Sequence, residues 1–236
     1  MKICNIMTKD NRRNCIIKAV LRLAACALIG IIGVWVGRNY LPLFALRKTV
    51  SSRTAEIVQA KPWIADVEKQ ARGRLTIFVF KKEQTVEVHA PGWIKPRKYD
   101  MTGFSGNLGP KLKEGDGQIP EGVYGIDYLN PNSMFHLSLK VSYPNTFDRK
   151  QAEKYGRSDL GGDIMIHGGS ATVGCIPIGD DAIEELFYFV AMIGKENVTV
   201  VIAPYDMRNG RKRELEKSAL PWYGELCDKI SKALTT

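Results

Sequence analysis

The chain has 236 residues, 44% of them apolar and 25% charged, with a net charge of +9. That size and balance exclude a disordered chain and fit one ordinary domain with an appendage, or two small domains. The charge does not point to nucleic acid: residues 1–38 hold seven Lys/Arg against one acid, the other 198 residues hold 27 against 24, and no nucleic-acid motif follows.

Residues 1–15 are basic, and residues 16–37 are mainly apolar, with no charge from Leu23 to Gly37. A membrane helix needs about 20 apolar residues. The uncharged run is shorter, but Lys18 and Arg22 can snorkel to the headgroups. The cations before Leu23 outnumber those soon after Gly37, which predicts a cytoplasmic N-terminus and an exported remainder. No small-x-small site follows Gly37, so the segment is expected to stay as an uncleaved anchor. "LAAC" at 23–26 matches a lipoprotein box in letters alone, because most of the apolar run lies after the cysteine. On this reading Cys4 and Cys15 stay in the cytoplasm and Cys26 lies in the bilayer. Cys175 and Cys227 are exported; they are able to pair but are too few for a disulfide framework.

Residues 38–73 read as a stalk of weak helical character, broken near Lys61-Pro62. From Arg74 the texture becomes β. "RLTIFVFKKEQTVEVHA" gives two runs, "RKYDMTGF" a third, and residues 105–122 form a Gly- and Pro-rich loop. "VYGIDYL" and "FHLSLKVSY" follow as strands, and "NTFDRKQAEKYG" as a short helix stopped at Gly156. "GDIMIHG" and "VGCIPIG" are short strands around a Gly-Gly turn. "DDAIEELFYFVAMIGK" is a clear helix, with Asp180 or Asp181 as cap and Ile183, Leu186, Phe187, Val190 and Met192 as its apolar face. The acidic group Asp180, Asp181, Glu184 and Glu185 reads as its solvated start. "NVTVVIAPYD" is a last strand, and residues 205–236 are a helical tail broken at Pro221. Many short strands with few helices define a β-rich α+β domain over residues 74–204.

His167 and Cys175 stand eight residues apart among glycines. Four readings compete: catalysis, metal binding, a disulfide, or a buried cysteine beside a tight turn. A hairpin around 168–173 would make the two side chains cross-strand neighbours, about 5 Å apart at Cβ. An imidazolium at that distance lowers a thiol's pKa and populates the attacking thiolate. Gly168 and Gly169 suit positive φ in the turn. Gly174 lets an acyl group approach, and backbone N–H groups of Gly174 and Cys175 are candidates for holding an oxyanion. Zinc would need further ligands, and no CxxC or HxxxH exists.

"IMIHGGSATVGCIPIGDDAIEEL" resembles the YkuD-type L,D-transpeptidase catalytic domain, which pairs a His-Gly with a downstream [Ser/Thr]-His-Gly-Cys. The matching pieces are His167-Gly168 and Thr172-Val173-Gly174-Cys175. The shorter spacing and Val173 in place of the second histidine are similar to a compact, YafK-like branch. Pro177 stands where an arginine commonly follows the cysteine, so that arginine's contacts do not carry over. The stretches 102–126 and 135–149 also resemble this branch. The resemblance implies a mixed sheet or sandwich with one main helix after the cysteine, here joined to an N-terminal transmembrane helix. It further implies Cys175 as nucleophile, His167 as general base, Thr172 ordering the loop, and Gly174 with Cys175 at the oxyanion. Gly168, His136, Tyr143 and Asn145 become candidate substrate contacts, against a structural role for His136 and a helix cap at Asn145. The implied chemistry is acyl transfer at diaminopimelate of peptidoglycan stem peptides, with a wall-attached protein as a further possible partner and no metal or organic cofactor. Hydrolysis on the same fold and a non-catalytic wall-binding module are the rival readings.

Overall fold

The computed structural model describes residues 21, 28–32, 34, 47–208 and 220–235, divided into two units, Met1–Lys48 and Thr49–Thr236. In the first unit Leu21 and residues 28–32 and 34 are helical and exposed. Among the described residues no helix is long and apolar enough to cross a membrane. Most of the expected anchor at 16–37, residues 1–15 and Cys4, Cys15 and Cys26 lie outside the described residues, as do residues 209–219 of the tail.

The second unit opens on two helices, α1 (Val50–Ala60) and α2 (Trp63–Glu68). Thr49 and Ser52 cap α1 reciprocally, each side chain accepting from the other's backbone N–H. The break at Lys61-Pro62 follows the sequence reading, since proline has no N–H to continue the ladder. The reading of 38–73 as a stalk is corrected for these helices. Ile57 and Ile64 are buried in the main core, so α1 and α2 belong to the domain.

Nine strands follow: β1 (Leu75–Phe80), β2 (Thr85–His89), β3 (Arg97–Asp100), β4 (Gly122–Tyr124), β5 (Ile126–Ser133), β6 (His136–Val141), β7 (Met165–His167), β8 (Ile176–Pro177) and β9 (Val198–Ala203). The remaining helices are α3 (Thr146–Lys154), α4 (Asp180–Ile193) and α5 (Tyr223–Leu234). One sheet runs β3-β2-β1-β9-β4 and the other β5-β6-β7-β8. The expected β-rich α+β class is present, with two sheets and one long helix after Cys175.

Strand alternation explains the layering. Leu75, Ile77 and Val79 of β1, with Val198, Val200 and Ile202 of β9, face the main core beside Leu137, Leu139, Ile166 and Ile183. Phe78, Phe80, Val201 and Ala203 point the other way, against Trp222, Tyr223, Leu226 and Ile230. Successive residues of a strand point to opposite faces, so a near-continuous apolar run such as "LTIFVF" needs cover on both. The tail provides the second cover: α5 is an integral layer of the fold.

α4 buries Ile183, Leu186, Phe187 and Val190 as expected, but Met192 is half exposed, and Tyr188 and Phe189 are buried instead. Its N-cap is Gly179, with no side-chain cap bond. The acidic start is not simply solvated. Glu184 pairs with Lys61 at 2.8 Å and with His136 at 2.8 Å, and Glu185 accepts from Arg97 at 2.7 Å and from Tyr99 at 2.9 Å.

Two devices hold the loop between β3 and β4. Lys81 Nζ, fully buried, donates to Gly109 O at 2.6 Å, Ile119 O at 2.9 Å and Glu121 Oε1 at 2.8 Å. Glu121 also accepts from the Tyr223 hydroxyl at 2.8 Å and the Gly109 N–H at 2.7 Å. Nearer its middle, Asp116 accepts from Lys111 Nζ and from the N–H groups of Leu112, Lys113 and Gln118.

Asp148 in the first turn of α3 predicts a pH effect. Burial raises its carboxyl from 3.8 to about 6, against the opposing pull of the Asn145 N–H. A raised folded-state value means stability that is fully present below about pH 4 and lost as pH climbs through about 6. Asp148→Asn keeps an acceptor for Asn145 and removes the charge. The variant's melting temperature, relative to the parent's, is therefore expected to rise between pH 4 and pH 7. Parallel thermal melts check this; a constant difference would refute it.

Candidate active site

The parallel register of β7 and β8 pairs Ile166 with Ile176 and His167 with Pro177. The expected antiparallel hairpin is therefore corrected, and Cys175 lies just before β8 rather than directly opposite His167. The physical reason is where the connecting loop finds its partners. Gly169 N–H donates to Asp180 Oδ1 at 2.8 Å, Gly169 O accepts from Thr102 Oγ1 at 2.5 Å, and Gly174 N–H donates to Ser105 Oγ at 2.7 Å. These bonds to other segments replace a hairpin ladder. Thr172 Oγ1 donates to Cys175 O at 2.8 Å and closes the last turn of the loop, the ordering contact expected of it.

Residues two apart on a strand share a face, so continuing the register puts Cys175 on the same face as His167, one diagonal step away. Such a step is about 7–8 Å. The side chains do not bond directly. The half-buried Cys175 Sγ donates to Asp163 O at 3.4 Å, and the Met165 N–H also supports it. His167 is buried, its ring 4.6 Å from that of Phe135, with Nδ1 2.6 Å from Gly168 O. A carbonyl oxygen can only accept, so Nδ1 carries the proton and Nε2 offers the lone pair.

Electrostatics corrects a second expectation. Burial lowers the His167 pKa, although the Gly168 carbonyl pulls it up. Burial likewise raises the Cys175 thiol, as does Asp163, while the Met165 N–H, Lys140 and Lys111 pull it down. The resting pair is a neutral imidazole and a neutral thiol, not a preformed ion pair. The imidazole is thus suited to act as a base at the moment of attack.

The oxyanion expectation also changes. Gly174 N–H is committed to Ser105, which in turn donates to Gly117 O at 2.9 Å. Gly174 has φ +98°, and a Cβ there would run into the Gln118 carbonyl. Its role is to allow a close backbone crossing, which leaves Cys175 N–H as the donor of the expected pair.

Tyr143 lines a cavity of about 510 Å³ that also meets Lys140, Arg149, Gly162 and Asp163. Its hydroxyl donates to Leu160 O at 3.2 Å. His136 is tied to Glu184, and Asn145 caps α3, accepting from Asp148 N–H at 2.9 Å and donating to Val123 O at 3.0 Å. Gly168 is packed against Asp180 and Phe135, its N–H donating to Phe135 O and Leu137 O. Each of these three already has an internal hydrogen-bond partner. A second cavity of about 460 Å³, lined by Leu112, Gln118 and Arg157 among others, shares Ser158 and Asp159 with the first. Gln118, in the lining of the second cavity, underlies Gly174, and Asp163, in that of the first, receives the Cys175 thiol. Cys175 and Cys227 are not joined in a disulfide, so the disulfide reading is not realised.

Sequence reasoning missed Ser105, Phe135, Lys140 and Asp163. Gly161-Gly162 before Asp163 was the visible signal for a close backbone approach at that point; the other three carried none.

A buried histidine whose Nε2 offers a lone pair and a half-buried thiol share one sheet face, an arrangement able to support nucleophilic cysteine chemistry. Residues 74–202 match the YkuD L,D-transpeptidase catalytic domain, and the chain belongs to that family. It is 30% identical over 145 residues to YafK of Escherichia coli K12, a candidate L,D-transpeptidase; the match covers 58% of this chain and 56% of that protein. The chain thus spans little more than half the length of this relative. Among solved structures it is similar to the helical cell shape determining protein Pgp2 of Campylobacter jejuni, at 22% identity and a TM-score of 0.44, covering 64% of this chain and 57% of that one. It is also similar to Bd1075 of Bdellovibrio bacteriovorus, at 20% identity and a TM-score of 0.39, covering 56% and 48%. Family membership gives residues 74–202 an L,D-transpeptidase-type catalytic domain.

Proposed function

We propose that the protein is a cysteine-dependent peptidoglycan L,D-transpeptidase, held by residues 16–37 in the cytoplasmic membrane with its catalytic unit on the outer side. The observation that carries this reading is the placement of Cys175 and His167 on one sheet face, with His167 Nδ1 anchored on Gly168 O and Nε2 left as base. His167 takes the thiol proton as Cys175 Sγ attacks the amide carbonyl that follows the L-centre of diaminopimelate. The C–N bond breaks, and His167 returns the proton to the departing D-residue amine. A second amine then attacks the thioester, loses its proton to His167, and releases the thiol with a new amide formed. Cavities whose linings include Gln118, beneath Gly174, and Asp163, which receives the thiol, are consistent with room for substrate near Cys175.

Incubating the full chain, purified in detergent, with isolated sacculi tests the reading by mass spectrometry of the muropeptides. New crosslinks at diaminopimelate are expected. Loss of crosslinks, of terminal residues or of attached protein would assign water as the acceptor and make the protein a hydrolase of the same fold.

A further inference from the structure

Among the described residues, Lys140 is a buried cation that the chemistry above does not use. Its residue is 8% exposed. Nζ donates to the backbone carbonyl of Gly162 and lies 3.4 Å from that of Val141. Its carboxylate partner, Asp163, stands 3.9 Å away with a side chain 91% exposed. Burying an ammonium against carbonyls and one distant, hydrated carboxylate is costly, and a methionine of similar shape would avoid the cost. The sheet shows what the charge is near. Lys140 pairs with Met165 across β6 and β7, and the β7–β8 register continues that row to Cys175. Paired residues share a face, so Lys140 and Cys175 flank Met165 on the face that carries His167. The Gly162 carbonyl that Lys140 holds is adjacent in sequence to the Asp163 carbonyl that receives the thiol.

We propose that Lys140 is a positioning residue of the Cys175 site, fixing the Gly161-Gly162-Asp163 segment against the sulfur and supplying the positive potential that favours the attacking thiolate. The inference rests on Cys175 being the nucleophile. When the thiol proton passes to the neutral His167, the new imidazolium stabilises the thiolate, and Lys140 adds a second positive charge on the same sheet face. The charged groups around the sulfur are Lys140 on β6, Lys111 on the β3–β4 loop, Asp163 before β7 and the neutral His167 on β7. Lys111 is already held by Asp116 at 2.6 Å, which leaves Lys140 as the less neutralised cation.

The test is the pH dependence of iodoacetamide alkylation at Cys175, read from its peptide by mass spectrometry in the full-length protein. Lys140→Met is expected to move the alkylation midpoint up by about one pH unit, a roughly tenfold loss of thiolate at neutral pH. Lys140→Arg should stay near the parent. Lys140→Gln, which keeps a donor for Gly162 O, should shift as Lys140→Met does, separating charge from loop anchoring. An unshifted midpoint in a folded neutral variant overturns the proposal. If neither neutral variant folds, Asp163→Lys decides at an exposed position: it should lower the midpoint, and no change there overturns the electrostatic claim. Alkylation does not need turnover, so its result is independent of the sacculus assay that tests the reading beneath it.

Discussion

Cys175→Ala is expected to abolish all change in the muropeptide profile, a loss of about 10³-fold or more, while leaving the fold intact. The side chain is half-buried, and its thiol makes one long bond to a backbone carbonyl, so alanine removes little packing. The effect on rate is large because no other group in the site can form the thioester. Intact-protein mass spectrometry after incubation with a stem tetrapeptide gives the complementary readout. The parent should gain the mass of an acyl group, and the alanine variant none. His167→Gln should slow the adduct by about 10²–10⁴-fold, since an amide cannot take the thiol proton. Wall chemistry that persists in Cys175→Ala would reduce the protein to a binding module.

Lys81→Met is expected to be the most destabilising single change in the loop region, by about 3–5 kcal/mol. Both side chains of the Lys81–Glu121 pair are fully buried, and Lys81 also satisfies the carbonyls of Gly109 and Ile119. Methionine fills the space but leaves the buried Glu121 carboxylate without its counter-ion, held by the Tyr223 hydroxyl and the Gly109 N–H. The melting temperature should fall by roughly 10 °C, given about 2–4 °C per kcal/mol at this size. Lys81→Met/Glu121→Leu should regain most of the loss, because an apolar pair has no charge to desolvate. The Tyr223 hydroxyl loses its acceptor in that double variant, so recovery should be incomplete. A single variant that melts like the parent would show that water reaches Glu121. The pair anchors the loop that carries Ser105 and Gln118, so Cys175 alkylation should also become less protected in the single variant.

Much of the architecture was legible before any coordinates. The break at Lys61-Pro62, the helix from Asp180, the strands at 75–80 and 198–203 and the Thr172 contact all depend on local chemistry: a missing N–H, an amphipathic period, a β-branched run, a hydroxyl three residues from a carbonyl. Asn145 as a cap was one of two readings, and its partner Asp148 at the third helical position decides for it. The readings that failed concern partners far along the chain. Nothing near Gly168 says that Asp180, Thr102 and Ser105 will take the loop's hydrogen bonds and turn a hairpin into a parallel pair. Nothing in residues 50–68 or 223–234 states that their apolar stripes pack on the sheets rather than form a stalk and a tail.

The sequence by itself determined which residues are the candidates for chemistry, because Cys175, His167 and their glycines are few and lie in a short, distinctive stretch. Tertiary structure alone decided how they are arranged: which imidazole nitrogen is left as acceptor, which N–H is already bonded, and which lysine shares their sheet face. Local propensity acts over a few residues. Burial and hydrogen-bond satisfaction are settled between segments that meet only when the two sheets close, and there the protonation states of the thiol and the imidazole are set.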